Sequence, residues 1–178
     1  MDNQITISVQ SLTINESLLR NCVAAFCATL DPTVDQINDI KTALSEAINN
    51  AIIHGYDGRP DCFVTVHASI NKGTVYIEVK DNGIGISDIN KARQPFFSTK
   101  PASERSGMGF VVMESYMDTL EITSDKNGTI VKMSKKLSTD FTSRKSESID
   151  FTCRESEYTD VASSKDIISK NKSKKLCK

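Results

Sequence analysis

The chain predicts an α+β domain: a two-layer α/β sandwich whose mainly antiparallel sheet is covered by helices on one face. Three observations carry that prediction. Alternating apolar and polar segments come in pairs joined by tight turns, Asn71-Lys72-Gly73 and Lys126-Asn127-Gly128, and a short turn between two such segments makes a hairpin of antiparallel strands. Longer segments repeat their apolar residues every 3.6 positions, the period of a helix that buries one face. The chain has 178 residues, enough for one domain with a sizeable core. Helices interspersed among antiparallel strands bury both sets of apolar faces by stacking as two layers.

The elements follow in order. Gln4–Gln10 alternates and reads as a first strand. Asn15 is a candidate cap for a helix over Glu16–Leu30, with Leu18, Leu19, Cys22, Val23 and Phe26 at helical spacing, and Asp31-Pro32 breaks it. A second helix starts at Thr33 or Asp35 and runs to about His54 on the stripe Ile37, Ile40, Leu44, Ala47, Ile48 and Ala51. Gly55 is expected to stop it in the left-handed conformation. The first hairpin pairs Phe63–Ile70 with Thr74–Lys80. A short helix is expected over Ser87–Arg93, ended by Pro95, and a third amphipathic helix over Gly109–Met117. Leu120–Thr123 and Thr129–Ser134 form the second hairpin.

Composition changes after Leu137. Residues 138–178 hold nine Lys/Arg and seven Asp/Glu among many Ser and Thr, with sparse apolar residues. DFTSRKSE at 140–147 recurs as DFTCRESE at 150–157, two copies being too few for a solenoid. Residues 1–137 are therefore expected to form the folded domain and 138–178 a polar, disordered tail, with a short helix near 161–169 conceivable.

Several function classes drop out. A formal net charge of −1 gives no general attraction for polyanions, and 6% aromatics without tryptophan offers no stacking platform, so no direct nucleic-acid binding is expected. No apolar run approaches a membrane span and the first ten residues lack a signal layout, so the expected location is cytoplasmic. The five cysteines, Cys22, Cys27, Cys62, Cys153 and Cys177, are odd in number and form no CxxC pair, and His54 and His67 have no metal-ligand spacing.

Three segments carry chemistry. Glu46 and Asn50, four residues apart, project from one face of the second helix. An amide oxygen beside a carboxylate suits Mg²⁺, which keeps most of its waters; the carboxylate could equally take a proton from a nucleophile, or the pair could be an ordinary polar helix face. Asp81 ends a strand just before Gly83 and Gly85 in DNGIG. A carboxylate there can accept from the exocyclic amine of adenine, and the glycines let backbone approach a flat base; alone, the motif is also a plain turn. Ser98–Ser106 is polar and ends in Gly107-Met108-Gly109 at a helix start, where free N–H groups favour phosphate. Lys100 and Arg105 could neutralise phosphate charge, and a flexible surface loop fits the same residues.

Together and in this order, ExxxN on a helix, DxGxG after a strand and a polar loop closed by GxG before a helix resemble the Bergerat-type ATP-binding fold shared by gyrase, Hsp90, histidine kinases and the MutL proteins. Within that superfamily LSEAINNAIIHGY (44–56), KARQPFFSTKP (91–101) and ERSGMGFVVMESYMD (104–118) are similar to the sporulation anti-sigma-F factors, serine kinases of endospore-forming bacteria. The resemblance spans about Gln4–Lys136. It implies ATP/ADP and Mg²⁺ as cofactors, with Glu46 as general base, Asn50 as the magnesium ligand and Asp81 as the adenine-reading carboxylate. Gly83 and Gly85 would form the pocket wall, Thr129 would support Asp81, Gly107 and Gly109 would meet the phosphates, and Arg105 would lie on the lid near the terminal phosphate. Arg20, a solvated charge by its own chemistry, corresponds to a residue that binds protein partners.

The implied partners are a sporulation RNA polymerase sigma factor, held inactive, an anti-anti-sigma protein phosphorylated on serine, and a second copy of the chain as a homodimer. The alternatives are a non-catalytic nucleotide-dependent sigma-binding module, a stress-response anti-sigma kinase, and another ATPase of the same fold. Two departures stand out. Leu137-Ser138 and Lys174–Cys177 look like one family ending split by about thirty residues, and Asn49 stands where a small hydroxyl residue is expected beside the magnesium amide.

Overall fold

The computed structural model describes residues 3–97 and 107–137. Five strands are laid out: β1 (Asn3–Gln10), β2 (Phe63–Asn71), β3 (Thr74–Asp81), β4 (Thr119–Asp125) and β5 (Gly128–Lys136). They form one sheet in the order β1-β2-β3-β5-β4, and every neighbouring pair is antiparallel. The first hairpin turns through Lys72 and Gly73, both at positive φ, the geometry that matches strand twist in a two-residue loop.

Period-two alternation decides which face is covered. Val66, Ala68 and Ile70 of β2 align with Val79, Ile77 and Val75 of β3, and Val79 and Ile77 with Val131 and Met133 of β5; all are buried, as is Val64. Tyr76, Lys80 and Lys132 point from the other face and are exposed. Helices α1 (Ile14–Cys27), α2 (Val34–Asn50) and α4 (Gly109–Tyr116) supply the second layer, and the core gathers Leu19, Val23, Ile40, Leu44, Ile48 and Met113 with those strand residues. A four-residue helix, α3 (Ile89–Ala92), is capped by Asp88, whose carboxylate accepts from the Lys91 N–H at 3.0 Å.

Local chemistry sets the helix ends, and three expected ends are corrected: both ends of α1 and the end of α2. Asn15 does not cap α1: the helix begins at Ile14, and the Asn15 side chain donates backwards to the Gln10 carbonyl, 2.9 Å away, tying helix to strand. The regular α-helix stops at Cys27, and Ala28–Leu30 tighten into a 3₁₀ turn before Asp31 turns left-handed. Thr33 caps α2 in a full capping box: its hydroxyl accepts from the Gln36 N–H and the Gln36 side chain accepts from the Thr33 N–H. Beyond Asn50 the helix widens into a π turn over Ala51–Gly55, with the Tyr56 N–H reaching the Ala51 carbonyl at 3.0 Å. Gly55 is not left-handed; the chain reverses at Asp57 and Gly58, both at positive φ.

Candidate functional site

The apolar rows of the covered sheet face end in a polar one. Asp81 of β3 aligns with Thr129 of β5, and Thr129 with Ser124 of β4. A cavity of about 1130 Å³ opens over this row, between the sheet end and the C-terminal half of α2.

Asp81 is 6% exposed. Its Oδ1 accepts from the Gly83 N–H at 2.9 Å and the Thr129 N–H at 3.3 Å. Burial pushes the carboxyl above its ordinary 3.8, and those two donors pull it part of the way back. Oδ2 has no hydrogen bond among the described residues, and Asp81 lines the cavity. Thr129 meets Ser124 hydroxyl to hydroxyl at 2.9 Å, and the Ser124 hydroxyl also accepts from the Ile86 N–H at 2.8 Å. The polar row is thus bonded to the loop that crosses it.

That loop approaches too closely for side chains. A Cβ on Gly83 would lie 2.1 Å from the Gly55 carbonyl oxygen, and one on Gly55 would lie 2.9 Å from Asp81 Oδ1. Gly55 is therefore required by the carboxylate it packs against, not by a left-handed stop. Gly83 packs against the Gly55 backbone and does not line the cavity, whereas Gly85, at φ +71°, does.

The helical wall carries Glu46 and Asn50, both facing the cavity. Gly109 starts α4 against them: a Cβ there would sit 3.0 Å from Glu46 Oε2 and 3.3 Å from Asn50 Nδ2. The N-terminus of α4, whose first N–H groups have no intrahelical partner, is thereby brought to the carboxylate and the amide. Gly107 also lines the cavity, and its carbonyl accepts from the Phe96 N–H at 3.0 Å. Among the described residues no three His, Cys, Asp or Glu side chains gather as a metal site. The donor set at Glu46 and Asn50 is one carboxylate and one amide, which suits a cation that keeps water and phosphate oxygens as its other ligands.

Glu46, Asn50, Asp81, Gly85, Gly107, Gly109 and Thr129 are gathered around one cavity. Arg20 is not among its lining residues; it pairs with Glu16 at 3.1 Å, and Glu16 also accepts from the Ser45 hydroxyl at 2.6 Å. Lys100 and Arg105 lie outside the described residues, as do the tail, its repeat and the helix expected near 161–169. Asn49, the departure noted beside the magnesium amide, also lines the cavity. His54, on the π turn, lines it as well and continues the spacing of Glu46 and Asn50, a signal that a search for metal-ligand spacing does not use. Ser124 was readable from the hairpin register opposite Thr129. Lys91, set over the Phe97 ring at 5.2 Å, had no sequence signal.

The same chain stretch matches known proteins. Residues 10–135 match the histidine kinase-like ATPase domain family. An anti-sigma F factor of Clostridium beijerinckii is 51% identical over 138 residues, covering 77% of this chain and 96% of the relative. One from Halalkalibacterium halodurans is 49% identical, covering 78% and 95%. Among solved structures, the RsbU and RsbW domains of a Mycobacterium tuberculosis protein superpose with a TM-score of 0.56 at 21% identity, over 76% of this chain and 32% of that larger one, a likeness of fold. With about half of the aligned residues identical, across nearly the full length of such relatives, the chain belongs to the anti-sigma F factor family, built on the histidine kinase-like ATPase domain.

Proposed function

We propose that this protein is an ATP-dependent anti-sigma factor: it binds ATP or ADP with Mg²⁺, holds a sporulation sigma factor inactive as a cytoplasmic homodimer, and phosphorylates a serine of an anti-anti-sigma protein. The observation that carries the reading is the division of labour around one cavity. Asp81 commits one oxygen to backbone donors and leaves the other for a ligand, while Glu46 and Asn50 face the same space beside the start of α4. A purine amine at Asp81 and phosphates at the helix N-terminus satisfy both ends.

In this reading Asn50 holds Mg²⁺, which when bound neutralises phosphate charge. The substrate serine oxygen forms a bond to the terminal phosphorus as the bond to ADP breaks, and Glu46 receives the serine proton. Gly85 gives the base its flat wall, Thr129 supports Asp81, and Gly107 and Gly109 admit the phosphates. Lys100 and Arg105 belong to the same proposal as phosphate contacts, and Arg20 as a partner contact. Residues 1–137 are sufficient for all of it.

Incubating the purified chain with labelled ATP, the sigma factor and the anti-anti-sigma protein tests the proposal. Label on the antagonist and nucleotide-dependent capture of sigma are the expected results. Sigma capture with no label would leave a non-catalytic binding module; label without sigma capture would leave a kinase that is no anti-sigma factor.

A further inference from the structure

Tyr56 is a buried aromatic that the nucleotide reading does not use. It follows the π turn of Ala51–Gly55, whose wide ring of hydrogen bonds ends at the Tyr56 N–H. Such turns are uncommon and recur at functional sites. Here the turn brings Gly55 under the Asp81 carboxylate and Tyr56 against the same loop. Tyr56 is 2% exposed, yet its hydroxyl makes two hydrogen bonds: it donates to the Phe63 carbonyl at 2.6 Å and accepts from the Asn82 N–H at 2.7 Å. Burial pushes the phenol up, so it stays protonated and able to donate at neutral pH.

The Asn82 bond completes a pattern. The three successive N–H groups after Asp81 each have their own acceptor: the Tyr56 hydroxyl for Asn82, Asp81 Oδ1 for Gly83 and the Gly55 carbonyl for Ile84. Two of the three acceptors come from Gly55-Tyr56. Of the three, the phenol alone is both a side chain and separate from Asp81, so it is the one that substitution can remove without disturbing either the backbone or the carboxylate.

We propose that Tyr56 is the positioning residue for base recognition: its hydroxyl pins the backbone immediately after Asp81, so that the free carboxylate oxygen is held at one place in the cavity and favours an adenine amine over a guanine carbonyl. The proposal rests on the nucleotide reading above. A carboxylate discriminates only when its own position is fixed, because a mobile one adapts to either base edge. Tyr56 touches neither base nor phosphate and acts through Asp81.

The test uses the full chain and its variants Tyr56→Phe, Asp81→Asn and the double variant, with ATP and GTP affinities measured by calorimetry. Phenylalanine keeps the ring and removes only the hydroxyl. Tyr56→Phe should weaken ATP roughly 3- to 10-fold, the equivalent of one hydrogen bond, leave GTP little changed, and so lower the ATP-to-GTP preference. In the Asp81→Asn background the same substitution should produce no further change in that preference. A wild-type preference in Tyr56→Phe, alongside a preference lost in Asp81→Asn, overturns the positioning role and leaves Tyr56 as core packing, even if the melting temperature falls. Wild-type ATP affinity in Asp81→Asn removes the adenine reading itself, and the proposal with it. One measurement needs no variant: amide exchange in the wild-type protein. The Asn82 N–H should exchange slowly, and exchange at the rate of an open loop would overturn the proposal.

Discussion

Asp81 separates stability from binding at the scale of one residue. Burial holds its carboxyl above 3.8, so the folded state binds this proton more tightly than the unfolded chain does. Its contribution to stability is therefore full below 3.8 and is lost as pH rises through the window up to the folded value. The adenine recognition proposed for Asp81 runs the other way, because only the ionised carboxylate accepts freely. ATP affinity should fall on acidification at a pH above the ordinary aspartate range, and Asp81→Asn should abolish that dependence in a calorimetric pH series. An asparagine oxygen can still accept from Gly83 and Thr129. Asp81→Asn should thus melt no lower than wild type at neutral pH while losing roughly 10- to 100-fold in ATP affinity. Glu46→Ala should act on the other end of the cavity, reducing phosphate transfer by roughly 100-fold or more with ATP affinity nearly unchanged; equal turnover in the variant removes Glu46 from the reaction. ExxxN on a helix and DxGxG after a strand are each ambiguous alone; their order in the chain, and the family resemblance that order carries, made the residues at both ends legible in the sequence. Lys91 was not: its place over Phe97 depends on how a four-residue helix is set down, which no period encodes.

At the scale of elements, α2 is the part that carries both stability and site. Its capping box fixes where the helix begins, and so which face Glu46 and Asn50 present four turns later. Thr33→Ala should lower stability by about 1 kcal/mol, a melting shift of roughly 3 °C, with nucleotide affinity retained. Gly109→Ala should do the reverse. Its Cβ meets Glu46 and Asn50 at 3.0 and 3.3 Å, so turnover should drop roughly tenfold or more with only a small melting shift, measured by labelled transfer and calorimetry side by side. Lys135 joins the helical layer to the sheet, bonding the Tyr116 carbonyl at the end of α4 and pairing with Asp39 of α2 at 3.0 Å.

At the scale of the molecule, the boundary expected at residue 137 has a sharp physical test. Leu137 is 4% exposed in the core, and its N–H donates to the Gly73 carbonyl at 2.8 Å. A chain ending at Leu137 should melt with the full-length protein. One ending at Lys136 exposes the space that leucine fills and should lose about 2 kcal/mol or more. Equal melting of the two shortened chains would show that the last core contact lies elsewhere. Among the described residues no helix is long and apolar enough to cross a membrane.

Periodicity and turn residues were enough for the two layers and the two hairpins, because side-chain direction along a helix or strand is a local property repeated every 3.6 or 2 residues; the roles expected of the carboxylates came instead from the order of the motifs and the family resemblance it carries. Where a partner in another element chose the conformation, reading one element at a time failed. Asn15 looked like a cap, but the carbonyl of Gln10 at the end of β1, five residues back, claimed its amide. Gly55 looked like a helix stop, but a carboxylate twenty-six residues later is what forbids it a side chain. The π turn and the Tyr56 hydroxyl belong to the same class: the contacts of Gly55 with Asp81 and of Tyr56 with Phe63 and Asn82 lie in other elements, which no helical period encodes.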